Sequence, residues 1–472
     1  MDHNLEADRV PGRDARPFDG LELDLGRPGR RTVAGVPEGL DGMLLGHLAQ
    51  RADSAGLLHI VRDHRRLVRL RRALAFFAPQ LEVLPLLSWD CAPYERRSPS
   101  AAVAARRVDT LLRLGRPAEG PRLILATAAA FLRRLPPQGV LEAATFRAAP
   151  EDDVEEPLRR FLLRNGYSPA ETVRVVGDFL WDDDRVEILP PGQRSPVTLE
   201  LLNGTLDAVR RGGADGEELE RLELPPVSEV VLTDESIARF QTNYQEQFGR
   251  VEGNDPLFEA VGHGRRLTGM EHWLPLFYGG TETLCEYLPG CPVTLDDGVE
   301  SDRDDYLEQV ADAFQARKAM GTIEEKAHLP AFHPLPPEQV FVDAGAWDVC
   351  LEPRAVLVFR AAPPEAGEDM PDAGARPGPS FHDDDGGGKL ARHVRTLRVG
   401  GARVLFAVER DVQHGPLRRR IGMPEMPTAE TWGDAGAGDA AVATLPVAAG
   451  FEVDGISVIA RADIVQIGRA SC

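Results

Sequence analysis

A strand joined to a capped helix constrains the fold of this chain more than any other stretch of its sequence. The apolar run LEVLPLL (81–87) predicts a buried strand. Ser98 and Pro99 then predict a helix start, with Ser98 as N-cap and Pro99 at the first helical position. Apolar residues recur at helical spacing up to Gly115, where a left-handed C-cap is expected. Such a pair of elements is one unit of an α/β fold.

Further strand-like runs alternate with helical patterns on either side of this unit. LLHIVRD (57–63) and PRLILAT (121–127) are apolar and β-branched, and each is followed by a helical pattern. Strands that alternate with helices predict a parallel sheet covered on both faces. The fold class is therefore predicted to be α/β.

A glycine-rich turn, AGVPEGLDG (34–42), leads into the helical pattern MLLGHLAQRA, which lies before LLHIVRD in the chain. A working P-loop requires GK[ST] at the helix start, so that lysine and a hydroxyl reach phosphate and magnesium. Here Gly39 is followed by Leu40, Asp41 and Gly42, and an aspartate would repel a phosphate. We interpret Gly35, Gly39 and Gly42 as a turn or a decayed P-loop, and the acids of VTLDDG (293–298) as ordinary loop residues.

The helix at 64–78 is strongly basic, and two interpretations of it stay open. Its arginines surround an apolar stripe: Arg65, Arg66, Arg69, Arg71 and Arg72. They could face nucleic acid, or they could form the solvated face of a packed helix. The second is favoured because the chain has 54 basic and 75 acidic residues, a net charge of −21.

The pattern changes along the chain and predicts several domains, as expected for 472 residues. Short strand-like runs separated by turn signals after residue 141 predict a small α+β domain inserted in the α/β domain. The predicted divisions are a disordered N-terminus (1–30), the first half of the α/β domain (31–140), the inserted α+β domain (141–225), the second half of the α/β domain (226–361), a linker (362–388) and a small α/β domain (389–465).

The cysteines and the hydropathy of the sequence indicate the cellular compartment in which the protein is expected. The chain has five cysteines without a CxxC pair, which indicates reduced thiols rather than a disulfide framework or a zinc site. No stretch approaches the ~18 apolar residues of a membrane span, and no apolar signal core opens the chain. We expect a cytoplasmic protein.

Four blocks of the sequence resemble the bacterial transcription-repair coupling factors (Mfd). They are WDCAPYERRSP (89–99) with RVDTL (107–111), GMEHWLPLF (269–277), LPPEQVFVD (335–343) and GFEVDGISVI (450–459). The resemblance covers about residues 32–464 and implies a split domain similar to the excinuclease subunit UvrB, with a decayed P-loop, interrupted by a UvrA-binding domain and followed by a further α/β domain.

The family displaces stalled RNA polymerase by ATP-driven translocation on double-stranded DNA and recruits UvrA. The resemblance implies that the polymerase-binding and motor domains, with their ATP and magnesium, lie beyond this sequence. The chain itself has no GK[ST] or helicase motif, so we expect no cofactor and no ATP hydrolysis here. Residues 466–472 depart from the family and look like a non-native tail, which suggests that the gene is cut there.

The resemblance also places the UvrA contacts of the inserted domain, and all of them have changed. A gapless comparison puts Asp182 and Thr198 where the family has arginines, and Leu202 where it has phenylalanine. An acid, a hydroxyl and an aliphatic side chain lack the properties that usually anchor an interface. We expect UvrA binding to be weak or lost, with Arg185 as a possible substitute.

The leading interpretation is a non-enzymatic adaptor and regulatory module of a coupling factor, whose surface could contact UvrA, another partner or the C-terminal half of its own chain. Three other functions compete with it. One is a divergent stand-alone paralogue without motor or UvrA binding. A second is direct DNA binding by the basic helices. A third is a metal enzyme using Asp182–Asp184, the run from His382 to Asp385, or His328 with His333. We favour solvated acids over a metal site because the runs lie in turns and prolines separate the histidines.

Overall fold

The strands form three six-stranded sheets and one two-stranded sheet in the computed structural model, which describes residue 18 and residues 20–464 apart from 53–55, 214–215, 251–254, 328–331 and 383–387. They are β1 (Gly29–Val33), β2 (Leu57–Val61), β3 (Glu82–Leu86), β4 (Arg122–Thr127), β5 (Phe146–Ala148), β6 (Ser168–Pro169), β7 (Asp178–Asp182), β8 (Arg185–Ile188), β9 (Val197–Leu202), β10 (Thr205–Arg211), β11 (Glu217–Glu218), β12 (Leu222–Leu224), β13 (Val293–Leu295), β14 (Ala355–Phe359), β15 (Arg376–Pro377), β16 (Arg403–Val408), β17 (Thr428–Ala429), β18 (Ala440–Thr444), β19 (Phe451–Val453) and β20 (Ile456–Ala460).

Helices cover these sheets, and none within the described ranges has the length and apolar character to cross a membrane. They are α1 (Leu40–Arg51), α2 (His64–Phe77), α3 (Ala101–Leu114), α4 (Ala128–Leu132), α5 (Val140–Ala143), α6 (Glu155–Arg164), α7 (Asp234–Phe248), α8 (Pro256–Gly262), α9 (Leu274–Phe277), α10 (Leu284–Tyr287), α11 (Val299–Lys326), α12 (Pro337–Val340), α13 (Ala344–Leu351), α14 (Gly388–Val399), α15 (His414–Arg420) and α16 (Arg461–Ile464).

The first sheet is parallel throughout, in the order β1-β14-β13-β2-β4-β3. Every residue of β2 and β4 is buried, because α1 and α2 pack on one face and α3, α4 and α13 on the other. The predicted α/β class is confirmed. Two of the six strands, β13 and β14, come from residues far along the chain, after β12. The resemblance to UvrB in particular stays a prediction, as do the domain boundaries.

The second large sheet, in the order β11-β10-β9-β8-β7-β6, is antiparallel from β7 to β11. One of its faces packs against α6 through a core that includes Leu158, Leu162, Val186 and Leu199. The short pair β5 and β12 lies where the chain enters and leaves this region. The short strands that the sequence predicts after residue 141 are therefore present, and consecutive strands from β7 to β11 pair as an antiparallel meander.

The third large sheet, in the order β15-β19-β20-β16-β18-β17, packs against α1 and α2, the helices that cover one face of the first sheet. Leu405 and Val458 of this sheet share one core with Leu44 of α1 and Leu70 of α2. A single apolar core thus joins the end of the chain to the helices that follow the glycine-rich turn.

Two segments predicted to lack structure contribute to this core. Phe18 and Leu23 are 3% and 2% exposed, so the predicted disorder of 1–30 is wrong for residues 18 and 20–30. In the predicted linker, Ala373 and Ala375 are buried, and β15 pairs with β19. Small apolar side chains were enough to anchor a segment that its Pro and Gly content marked as a linker. Residues 1–17, 19, 383–387 and the suspected tail lie outside the described residues.

The helix after β3 begins and ends differently from the prediction. Ser100, not Ser98, is the N-cap of α3, and its hydroxyl accepts the N–H of Val103 at 3.4 Å. Ser98 is unavailable because its hydroxyl is bound to Gly269 and Glu271. Gly115 has a φ of −70°, so the left-handed C-cap is also wrong.

Candidate functional site

The glycine-rich turn lies at the carboxyl edge of the first sheet, between β1 and α1. The chain leaves β2 toward β3 on one side and leaves the adjacent β13 toward β14 on the other. Ligands of open α/β sheets bind outside the carboxyl ends of strands at such a switch point. If the chain bound a nucleotide, the carboxyl edge of the first sheet beside this turn is where the site would be expected.

The carboxylate of Asp41 occupies the backbone donors of this turn. Its Oδ1 accepts the N–H of Gly39 at 2.9 Å and the N–H of Gly42 at 2.7 Å, and the residue is 1% exposed. In a P-loop, backbone N–H groups of this kind cradle phosphate oxygens. Here the chain supplies the anion itself.

A buried arginine neutralises this carboxylate and a second one. The guanidinium of Arg66 donates to Asp41, and its Nε and Nη2 donate to Asp296 at 3.0 Å and 3.2 Å. Arg66 is 4% and Asp296 6% exposed. We call Asp41, Arg66 and Asp296 the ion cluster. Buried charges of this kind persist when each is paired and hydrogen-bonded.

The ion cluster continues across the sheet through β2 and β13. His59 Nε2 lies 3.3 Å from Asp296 Oδ1, and His59 Nδ1 lies 2.8 Å from the hydroxyl of Thr294. Burial alone would raise the pKa of Asp296, but the hydrogen bonds and charges of His59 and Arg66 lower it to about 2. The Asp296 carboxylate is therefore ionised at neutral pH.

Two sequence predictions are corrected by this cluster. The sequence favours a solvated basic face for the arginines of α2, yet Arg66 is buried, whereas Arg65, Arg71 and Arg72 are exposed. The sequence also favours an ordinary loop acid at Asp296, yet this residue is buried and paired. The available signal was spacing, because Arg66 falls at helical intervals from Leu70, Ala73 and Phe77 and so lies on the apolar stripe.

The third sheet closes the turn from outside. Gly39 has a φ of 103°, and a Cβ there would lie 2.4 Å from Cγ1 of Val447 and 3.2 Å from Phe451. A Cβ at Gly42 would lie 2.9 Å from the Cβ of Ala73. Gly35, with a φ of 67°, holds the start of the turn. These residues do not fit a nucleotide, because the donors are taken, no lysine is present and packed side chains cover the turn.

Three of the four blocks quoted above meet at one place beside the sheet. The Ser98 hydroxyl donates to Glu271 at 2.6 Å and accepts the N–H of Gly269 at 2.8 Å. Tyr94 stacks on His272 and donates to the carbonyl of Leu335 at 2.9 Å. Burial lowers the pKa of His272 to about 3, so its imidazole is neutral. The arrangement is a packed junction that ties the three blocks together.

The fourth block forms the hairpin of β19 and β20, and its Phe451 contributes to the closure of the turn. Comparison with known proteins finds similar sequences in several bacteria. The chain is 31% identical over 329 residues to the transcription-repair-coupling factor of Myxococcus xanthus, covering 64% of this chain and 27% of that protein. It is 24% identical over 280 residues to that of Rickettsia bellii, covering 58% and 25% respectively.

A third relative is the transcription-repair-coupling factor of Escherichia coli, 24% identical over 305 residues, or 63% of this chain and 26% of that protein. The chain is related to the transcription-repair-coupling factors. It spans about a quarter of the length of these relatives. No protein-family model matches it.

The positions that the resemblance to transcription-repair coupling factors assigns to partner contact lie in the second sheet. Asp182 and Arg185 face each other across the β7–β8 turn, and both are exposed. Leu202, at the end of β9, is 62% exposed. Thr198 is 2% exposed between Glu187 and Arg210 of the adjacent strands, so it offers a partner almost no surface. The structure thus brings Asp182 and Arg185 together and buries Thr198.

The metal candidates are not assembled into a site by the described residues. No group of three or more histidine, cysteine or carboxylate side chains suited to a metal ion occurs within them. His328 and Asp383–Asp385 fall outside the described ranges, so the two runs that contain them are not tested.

Proposed function

We propose that this chain is a non-motor module of a transcription-repair-coupling protein, in which the former nucleotide turn has become a structural ion cluster. The observation that supports this most directly is the Asp41 carboxylate bound to the N–H groups of Gly39 and Gly42 and to Arg66. The relatives named above support the family. UvrA, stalled RNA polymerase and double-stranded DNA are the partners of the whole protein in this proposal, the last two through segments outside this sequence.

The first test is nucleotide binding. We expect calorimetric titration with Mg-ATP to give no saturable heat, since the turn has no lysine and its N–H groups are occupied. The variant Asp41→Ser removes the repelling carboxylate and shows whether charge alone excludes the nucleotide. Saturable binding to the unaltered chain, or turnover of ATP, would contradict the proposal.

The second test is recruitment of UvrA. Because Asp182 is acidic, Thr198 is buried and Leu202 is aliphatic, we expect UvrA to bind at least tenfold more weakly than to the matching segment of the E. coli relative, a loss of about 1.4 kcal/mol or more. Surface plasmon resonance on both proteins measures this. Equal affinity that also survives Arg185→Ala and Leu202→Ala would contradict the prediction.

A stand-alone adaptor without motor or UvrA binding is the second candidate. The exposed acidic turn Asp182–Asp184 favours it, because this turn reverses the charge that the family presents there. The gene read in intact DNA beyond codon 465 separates the two. Continuation into motor motifs supports the first proposal, and a stop codon supports the second.

A further inference from the structure

Three cysteines lie around one buried arginine, Arg354, beside the first sheet. Cys285 lies in α10, Cys291 precedes β13, and Cys350 lies near the end of α13. Arg354 is 7% exposed and donates to the carbonyls of Cys350 at 2.9 Å, Leu288 at 2.7 Å, Cys291 at 2.8 Å and Cys285 at 2.8 Å. The guanidinium therefore holds together the three segments that carry the thiols.

The guanidinium of Arg354 has no carboxylate partner among the described residues. Its partners are backbone carbonyls, and within the described ranges it forms no ion pair. The hydrogen bond with Cys350 and burial raise the pKa of Cys285, and burial raises that of Cys291, while the charge of Arg354 acts against both increases. The pKa of Cys350 alone among the three is lowered, chiefly by its hydrogen bond with Cys285 and in part by Arg354. A thiol near an arginine in partly exposed surroundings is the usual setting of a reactive cysteine.

Two of the three thiols lie against each other's segments. Cys285 Sγ lies 3.7 Å from the carbonyl oxygen of Cys350, and Cys350 Sγ lies 4.0 Å from the hydroxyl of Thr283, two residues before Cys285. Cys291 points elsewhere, and its thiol donates to the carbonyl of Gly56 at 3.2 Å. The folded chain thus presents one close thiol pair and one separate thiol.

The two paired thiols differ in access and acidity. Cys350 is partly exposed, and the hydrogen bond from Cys285 lowers its pKa. Cys285 is 7% exposed, and its hydrogen bond to Cys350 together with burial raises its pKa. Cys350 is therefore the thiol that meets a reagent from solvent, and Cys285 lies behind it as a protonated thiol.

We propose that Cys350 and Cys285 form a reversible oxidation site, in which a hydroperoxide oxidises Cys350 and Cys285 then closes a disulfide. The Cys350 thiolate attacks one oxygen of hydrogen peroxide, the O–O bond breaks, and the product is a sulfenic acid with release of hydroxide, which takes up a proton to become water. The Cys285 sulfur then attacks the sulfenic sulfur, its proton leaves with the displaced hydroxide as a second water, and an S–S bond forms. A dithiol reductant reverses the reaction.

The disulfide would join α10 to α13, two helices that pack on the same face of the first sheet. A bond between them fixes the segment before β13 to the segment before β14. This site is independent of the ion cluster and of UvrA, so its failure would leave the proposed function untouched.

The experiment is peptide mapping of the reduced full chain after brief exposure to hydrogen peroxide, alkylation of free thiols and digestion with a Glu-specific protease without reductant. Cleavage after Glu282 and Glu286 gives a peptide 283–286 with Cys285. Because Pro353 blocks cleavage after Glu352, Cys350 lies in the peptide 339–365, between Glu338 and Glu365. Cys291 falls in the separate peptide 287–300. We expect peptides 283–286 and 339–365 to be linked, with loss of two hydrogen atoms, and the link to disappear on reduction.

Three controls decide the result. Cys291→Ser is the matched variant and should keep the linked peptide, whereas Cys285→Ser should abolish it and leave Cys350 as a sulfenic or sulfinic acid. In the unaltered chain Cys350 should react roughly tenfold faster than Cys291. A link through Cys291, equal reaction of the two thiols, or the same yield of link in urea would overturn the proposal.

Discussion

Replacement of Arg66 by methionine is expected to lower the free energy of unfolding by about 3–5 kcal/mol at neutral pH. The substitution keeps much of the side-chain volume but leaves Asp41 and Asp296, which are 1% and 6% exposed, without their shared cation. A buried charge that has lost its partner is one of the most destabilising changes a protein can carry. Urea unfolding followed by circular dichroism measures the effect on the first transition.

The same variant should become relatively less defective in acid. The pKa of Asp296 is held at about 2, below its ordinary value of 3.8, so this group stabilises the fold above pH 3.8 and loses that contribution as the pH falls towards 2. Without Arg66 the pKa of Asp296 is lowered less. Protonation of this carboxylate then reduces the free energy of unfolding of the variant by less than it reduces that of the unaltered chain. The difference between the two proteins should therefore narrow from about pH 4 downward.

Arg65→Met is the matched control, because Arg65 is the neighbouring residue on α2 and is exposed. It should change stability by less than about 0.5 kcal/mol. If both variants lose the same small amount, the ion cluster is not a buried, mutually dependent set of charges.

The α/β fold could be predicted from the sequence because its evidence is local. Strands such as LLHIV are short and apolar, and the helices after them carry apolar residues at regular intervals. The N-cap of α3 could not be placed, because Ser98 and Ser100 both suit that role and only a distant contact with Glu271 decides between them.

The sequence predicts that the turn lacks the residues of a P-loop, but it does not predict the ion cluster that the turn forms. The missing lysine and the presence of Asp41 predict that the turn is not a working P-loop, and the structure adds that the Asp41 carboxylate accepts the N–H of Gly39. Arg66 and Asp296 are 230 positions apart in the chain, so their pairing has no local signal in the sequence. Long-range pairing of this kind follows from sheet order, which no local pattern specifies.

Replacement of Gly39 by alanine is expected to destabilise the chain by about 2–4 kcal/mol through two separable effects. Its φ of 103° is strained for any residue with a Cβ, and the new methyl would lie 2.4 Å from Val447 Cγ1 in the loop between β18 and β19 of the third sheet. The contact must therefore push the third sheet away from the turn or move α1. Thermal unfolding of the full chain detects the loss.

A matched glycine separates the two effects. Gly401 has a φ of 82° and open space where a Cβ would be, so Gly401→Ala carries backbone strain alone, about 1–3 kcal/mol. We expect Gly39→Ala to cost more than Gly401→Ala, and Val447→Ala in the Gly39→Ala background to recover the excess of about 1 kcal/mol. If the two glycine variants cost the same and Val447→Ala recovers nothing, the third sheet does not close the glycine-rich turn. The ion cluster alone would then have to account for the proposed loss of nucleotide binding.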